Sequence, residues 1–419
     1  MSSSDLLQQI QSLQFTQKER AEALLGSFVR EVFALDVAHV ELRPLAVSLN
    51  SFNGFLTLVS GQRLFFKTHT EPDSVISEYY NAALLAEAGY PVIQPLYRST
   101  EAGRQFLLYE VVDDPSVFDI AWAIETGQSE ALPALTQAQQ QADTSLFRLY
   151  LDTLEAQSSQ DAASASVHQL FYHRLTGGRL ARFYGPLPGE PGEDVPITLP
   201  GGTFSMSEVR NVYWIINGQR YESTLNDLIS EAVTVLQPAQ AGPSIVGHGD
   251  AHNGNVFFRQ AAGEMFYFDP AFAGRHHPLL DLTKPLFHNV FAMWMYFPRE
   301  KAAQMRITLL ADDSNIWRVE HDYTLPPVRE MFLASKVERV LVPTLRELKR
   351  RQWLRSDWRR YLKSALFCCP FLTMNVTDSN KFPPEISLLG LAMSVEMGAE
   401  SQDERSRIDC VLDEVERQL

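Results

Sequence analysis

His248-Gly249-Asp250-Ala251-His252-Asn253-Gly254-Asn255 runs into Val256-Phe257-Phe258-Arg259 and, after a polar break at residues 260–264, into Met265-Phe266-Tyr267-Phe268-Asp269. The two apolar runs with Gly263 between them read as a β-hairpin. A turn centred on Ala262 sets Arg259 opposite Met265 and Asn255 opposite Asp269, and cross-strand partners lie ~5 Å apart. An amide oxygen and a carboxylate then meet at one end of the hairpin, just after a loop carrying a second carboxylate, Asp250. Magnesium prefers hard oxygen ligands and completes its octahedron with phosphate oxygens and water. The spacing therefore suits a metal–nucleotide complex with a base beside it. Taken singly, these residues have ordinary roles: a loop Asp caps or turns, a lone His is more often structural than a ligand, and an Asn ahead of a strand makes turns. The spacing carries the functional reading.

HGDAHNGNVFF from His248, followed by FYFDPAFAGRHHPLLDL from Phe266, resembles the catalytic segment of the aminoglycoside phosphotransferase and choline kinase superfamily. That segment is His-Gly-Asp-x-His-x-x-Asn, a metal-binding Asp about fourteen residues on, and Asp-Leu in the next helix. The resemblance implies a protein-kinase-like, two-lobed α+β fold with a small β-rich first lobe and a larger, mostly helical second lobe. It also implies ATP and Mg²⁺ in the cleft, and γ-phosphoryl transfer to a hydroxyl of a small molecule such as a sugar, amino sugar, aminocyclitol or amino alcohol. By it Asp250 is the catalytic base, Asn255 and Asp269 are the metal ligands, His248 and Asp281 brace the loop, and His252 organises it. In the first lobe the fold asks for a strand lysine facing the phosphates and a helix glutamate holding it; Lys67 and Glu78 match. The turn 48–54, with Ser51 and Asn53, takes the place of the phosphate-covering loop although it has one glycine, since small polar residues also offer N–H groups to phosphate. The segment 105–111, with Glu110, resembles the strand and hinge that meet adenine. Pro270-Ala271 stands where many relatives carry another acidic residue.

Outward from that segment, residues 5–35 carry apolar positions at helical spacing, and short β-like runs follow at 40–47, 55–59 and 64–67. Residues 74–88 form a helix pattern ended by Gly89, and strands follow near Leu96 and over 105–112. The first lobe is thus expected over 1–112 and the second over 113–419, with an insertion around 113–244. Within the insertion, residues 185–202 hold five Pro and five Gly and read as an irregular loop. Asn217-Gly218, between aromatic and β-branched residues, is the strongest hairpin signal in the chain. Arg174 and Arg179 flank Gly177-Gly178 and are candidate substrate contacts. Residues 278–419 read as mostly helical.

The chain has 419 residues, enough for two or three packed lobes. Its net charge of −15 argues against nucleic acid as a partner. Residues 299–363 hold fifteen Lys/Arg against nine Asp/Glu, either a solvated helix face or a surface for an anionic partner. No apolar run reaches the ~18–20 residues of a membrane span. Residues 1–10 lack the basic-then-apolar order of a secretory signal, and three cysteines make no disulfide framework. A cytoplasmic place is expected. Gly249-Asp250-Ala251-His252 also matches the Gly-Asp-x-His of metal phosphoesterases, but their other motifs are missing from the chain. A kinase-fold protein acting on a protein acceptor, or an inactive nucleotide-binding regulator, are the remaining readings; the intact set Lys67, Glu78, Asp250, Asn255 and Asp269 speaks against decay.

Overall fold

Two amphipathic helices, α1 (Ser3–Leu13) and α2 (Lys18–Phe33), turn Leu7, Ile10, Leu25, Phe28 and Val29 into one core with a five-stranded antiparallel sheet. The computed structural model describes residues 3–14, 16–43, 51–69, 74–99, 101, 104–311 and 315–419. The chain divides into two units, one of Met1–Pro115 with Phe266–Ala273 and one of Ser116–Met265 with Gly274–Leu419. In the first, β1 (Val37–Leu42), β2 (Ser51–Leu58), β3 (Arg63–His69), β4 (Tyr97–Ser99) and β5 (Phe106–Glu110) lie in the order β1-β2-β3-β5-β4. Helix α3 (Ser74–Glu87) leaves the sheet after β3. This is the small lobe that the resemblance implies. Alternation explains it: Leu64, Phe66, Phe106 and Leu108 point into the core, and the Phe66 and Phe106 rings stack at 5.4 Å. One expectation needs correction. Residues 51–54, read as part of a turn, begin strand β2, so Ser51 and Asn53 lie on a ladder opposite His69 and Lys67. Residues 44–50, the rest of that turn and the end of the 40–47 run, lie outside the described residues.

The second unit is mostly helical. Its interior is made by the helices Leu132–Thr153, Pro278–His288, Trp358–Leu372 and Pro384–Gly398, the last two buried along nearly their whole length. Asn217 and Gly218 have φ of 47° and 80° and join strands Tyr213–Ile216 and Gln219–Tyr221, the positive-φ hairpin turn that the Asn-Gly pair favours. Two other segments differ from the sequence reading. Residues 185–202, read as irregular, contain the strand Pro196–Leu199, paired with Gly202–Ser205. Residues 307–321, in a stretch read as helical, form the strands Ile307–Ala311 and Ile316–His321, and the latter runs parallel to Tyr213–Ile216. Period-2 burial of Trp317 and Val319 against that neighbour overrides the helical signal around it.

The basic stretch 299–363 is largely consumed internally. Arg329 pairs with Glu125, Lys336 with Asp143, Arg360 with Glu231, Lys363 with Asp409, and Arg359 with Glu400 and Asp413. Its excess charge meets acids from elsewhere in the same unit. Among the described residues, no helix is long and apolar enough to cross a membrane.

Candidate active site

The loop that carries Asp250 is held from below. Strand Gly242–Gly247 runs between Glu155–Gln157 and Gly274–His276. At its end Gly247 is forced by space: a Cβ there would lie 2.6 Å from Asp281 Oδ1 and 2.7 Å from His276 Nε2. Asp281, in the helix Pro278–His288, accepts from the Gly249 N–H at 2.6 Å, from His276 Nε2 at 2.9 Å, and from the Tyr150 hydroxyl. Burial alone would raise its pKa. The His276 hydrogen bond and charge, with Tyr150 and Gly249, outweigh burial and hold it down to about 2. Asp281 is thus a buried carboxylate that collects three donors beneath the loop. His248 is fully buried, and its Nδ1 faces the Asp250 N–H at 3.4 Å.

His252 turns the loop onward. Its ring Nδ1 accepts from the Gly254 N–H at 3.1 Å, and its carbonyl accepts from the Asn255 N–H at 2.7 Å. Asn289 Oδ1 takes the Asn253 N–H at 2.7 Å. Asn255 Nδ2 donates to the Asp250 carbonyl at 2.9 Å, which leaves the amide oxygen, a hard donor suited to a divalent cation, without a protein donor among the described residues. Asn255 therefore ends a 3₁₀ turn, Asn253–Asn255, and is not a rung of the hairpin; the strands are Val256–Arg259 and Glu264–Tyr267. Asp269 also lies beyond the strand, at φ 54°, a left-handed conformation that costs a non-glycine residue strain and recurs at functional sites. The ladder pairing of Asn255 with Asp269 expected from the sequence is thus replaced by a turn on one side and a strained residue on the other. Asp250 Oδ1 is buried without a hydrogen-bond partner. On a loop tied by Asp281, His252 and Asn289, that oxygen and the Asn253 Nδ2 are left unpaired.

In the first unit, Lys67 sits on β3 opposite Asn53 and Leu107, and its Nζ lies 2.7 Å from Asp269 Oδ1. This ion pair was not anticipated from the sequence. Glu78 lies in α3, and its side chain, like that of Ser51, is outside the described residues. Asn81, one turn further along α3, donates to the carbonyls of Pro270 and Ala271 at 3.0 and 3.3 Å. Backbone bonds from Ile93 N to Tyr267 O (2.9 Å) and from Tyr267 N to Pro91 O (2.7 Å) hold the same segment. Glu110 is exposed at the end of β5.

Arg174 and Arg179 meet at the C-terminus of the helix Trp358–Leu372. Arg179 Nη1 donates to the Leu372 carbonyl at 3.2 Å, and Arg174 Nη1 to Thr373 Oγ1 at 3.4 Å. Burial lowers both guanidinium pKa values, Arg179 to about 10 with Arg174's charge adding to it. Lys284, which the sequence reading missed, joins them: its Nζ reaches Thr373 Oγ1 at 3.4 Å and His288 Nε2 at 3.2 Å. His288 Nδ1 in turn meets the Tyr296 hydroxyl at 2.8 Å. The signal was present as Asp281-x-x-Lys284-x-x-x-His288, one helix face inside an apolar run.

No family model matches the chain, and no curated protein matches it. Among solved structures it is similar to the amicoumacin kinase hAmiN in complex with AMP-PNP, Ca²⁺ and Ami, at 14% identity over 89% of this chain and 92% of that one, with TM-score 0.47. It is similar to a thermostable mutant of aminoglycoside phosphotransferase APH(4)-Ia at 11% identity over 89% and 98%, with TM-score 0.45. A putative fructosamine-3-kinase from Thermobifida fusca follows at 13% identity over 88% and 96%, with TM-score 0.41.

Proposed function

We propose that the chain is an ATP- and Mg²⁺-dependent phosphotransferase that moves the γ-phosphoryl group to a hydroxyl of a small molecule. The observation that carries this reading is the unpaired, buried Oδ1 of Asp250 on a loop held by Asp281, His252 and Asn289. An unsatisfied buried carboxylate oxygen is costly, and a hydroxylic substrate would satisfy it. In the proposed reaction the acceptor O–H gives its proton to the Asp250 carboxylate as its oxygen bonds to the γ-phosphorus. The bond from that phosphorus to the β,γ-bridging oxygen breaks, and ADP leaves. A divalent cation, when bound, neutralises charge on the phosphates; Asn255, with its amide oxygen unclaimed, and Asp269 are its proposed ligands. Lys67 is assigned to the α- and β-phosphates, with Glu78 to orient it. Asp281, Tyr150 and His276 position the loop without touching substrate. Residues 113–244, with Arg174 and Arg179, are assigned to acceptor recognition.

The test is acceptor-dependent ADP release across a panel of hydroxylated small molecules. A positioned base contributes ~10²–10⁴-fold in rate, so Asp250→Asn should lose that factor in kcat while ATP affinity stays near wild type. Full activity in that variant removes Asp250 from the mechanism.

A further inference from the structure

The second unit treats its buried cations by a consistent rule, with one departure. Arg329, Lys336 and Lys363, all buried, each pair with a carboxylate: Glu125, Asp143 and Asp409. Arg210, also buried, is satisfied by Asn226 Oδ1 and the carbonyls of Tyr184 and Pro186 at 2.7–2.9 Å. Lys284 is 2% exposed, yet its partners among the described residues are a neutral imidazole and a threonine hydroxyl at 3.2 and 3.4 Å. Arg174, beside it, makes one bond, to that same hydroxyl at 3.4 Å. Among the described residues, no carboxylate lies within ion-pairing distance of either cation. Desolvating a cation without a counter-charge is among the most expensive arrangements in a fold. The charge of Asp250 acts on both, but neither bonds to it.

The cluster adjoins the loop of Asp250. Lys284 lies one turn after Asp281, whose carboxylate holds the Gly249 N–H, and the His288 ring lies 5.7 Å from that of His252. An ammonium donating to His288 Nε2 leaves the proton of this neutral ring on Nδ1, facing the Tyr296 oxygen; Tyr296 then keeps its own O–H to give. Capping of the helix Trp358–Leu372 does not account for the two cations, because Arg179 already takes the Leu372 carbonyl and a helix end carries only about half a charge.

Resting on the phosphotransferase reading above, we propose that Arg174, Lys284 and Thr373 form the subsite for an anionic group, a carboxylate or phosphate, carried by the acceptor. The acceptor is then a hydroxylated acid or phosphate ester rather than a polycationic amino sugar. Guanidinium and ammonium side by side suit either oxyanion, and the Thr373 hydroxyl lies between them as a further donor once the anion draws both cations away.

The test uses the whole protein with saturating Mg²⁺–AMP-PNP, so that the nucleotide's own phosphates fill their place, and titrates inorganic phosphate at constant ionic strength by calorimetry. Saturable binding is expected, weakened roughly tenfold or more by Arg174→Met and by Lys284→Gln, with AMP-PNP affinity unchanged. Ligand-free Arg174→Met should melt at or above the wild-type temperature, since it removes a half-buried charge that has no carboxylate partner; a fall of several degrees, or failure to fold, makes Arg174 structural and overturns the proposal. Absence of phosphate binding overturns it as well. Equal weakening of AMP-PNP assigns the cations to the nucleotide's terminal phosphate, also against it. In a second arm, neutral polyols are compared as acceptors with their carboxylate and phosphate derivatives. Turnover confined to neutral or cationic acceptors sinks the anionic subsite and leaves phosphotransfer standing, whereas phosphate binding without turnover of any acceptor keeps the subsite and sinks phosphotransfer.

Discussion

Lys67 and Asp269 hold each other at 2.7 Å, and both are assigned to the nucleotide, the lysine to its phosphates and the aspartate to its cation. Their side chains are 19% and 39% exposed, where an ion pair is worth only ~0–1 kcal/mol. Opening it for a ligand therefore costs little, and its loss should not unfold the protein. Asp269→Ala is expected to abolish Mg²⁺-dependent turnover while stability changes by no more than about 1 kcal/mol. Asn255→Ala should leave a remnant that rises with added Mg²⁺ or Mn²⁺, because an amide ligand offsets no cation charge and a carboxylate does. A titration of kcat against metal concentration for both variants decides it: equal remnants would remove the distinction. For Lys67→Met the expected change is a raised KM for ATP, with a milder rise for Glu78→Gln, whose side chain would only orient the lysine. Wild-type ATP kinetics in both variants would detach the first unit from nucleotide binding.

The helix Pro278–His288 acts on the site from two of its turns. Asp281 takes three donors, and Lys284 and His288 face the cation cluster. Asp281→Asn keeps the shape but puts an NH₂ where His276 or Tyr150 donates, so two donors meet. A buried donor left unpaired costs ~1–3 kcal/mol. Asp281→Asn should therefore lose about that much stability in urea melts and lower kcat, since Gly249 would be held at most by a neutral amide oxygen in place of a carboxylate; Tyr150→Phe should cost less in both. Unchanged kcat in Asp281→Asn would show that the loop needs no brace. The placement of Asp250 on a tied loop, of Asp281 in the next helix and of Lys67 on β3 was legible in the sequence because it rests on local spacing: a loop wedged between two apolar runs, and a lysine that ends a short β-run. Tyr150, Asn81 and Thr373 were not legible, for each acts across some ninety residues of chain or more and sits in a segment with no motif of its own. The strands at 307–321 were missed for a related reason. Their partner is Tyr213–Ile216, and pairing with a distant strand leaves little trace in local periodicity.

Across the whole molecule, buried titratable groups set how stability varies with pH. Burial lowers His168 to about 4 and His277 to about 3, with neighbouring charge adding to both, and it places His288 well below its ordinary value. The unfolded chain takes up protons at these histidines near pH 6.5 while the folded one does not. Their contribution is therefore present above about pH 6.5 and is lost as pH falls towards 4 and then 3. Glu396 works the other way. Burial raises it to about 7, so the folded form keeps a proton that the unfolded form gives up from about pH 4.5 upward, and stability is lost as pH rises from there to 7. Over the shared window the three histidines outnumber the one glutamate, and the melting temperature should fall on acidification from pH 7 to 4.5. Asp281 adds its own loss only below its ordinary range, as pH drops towards 2. Glu396→Gln separates the two signs. Without the ionisable group the penalty at alkaline pH disappears, so the variant should gain a few degrees at pH 8, gain little or nothing at pH 4.5, and show a steeper acid decline than wild type. Calorimetric scans of both proteins at pH 8, 6.5 and 4.5 measure this directly. A shift of the same size at every pH would mean that Glu396 acts through packing alone, and that its proton has no part in the pH dependence of the fold.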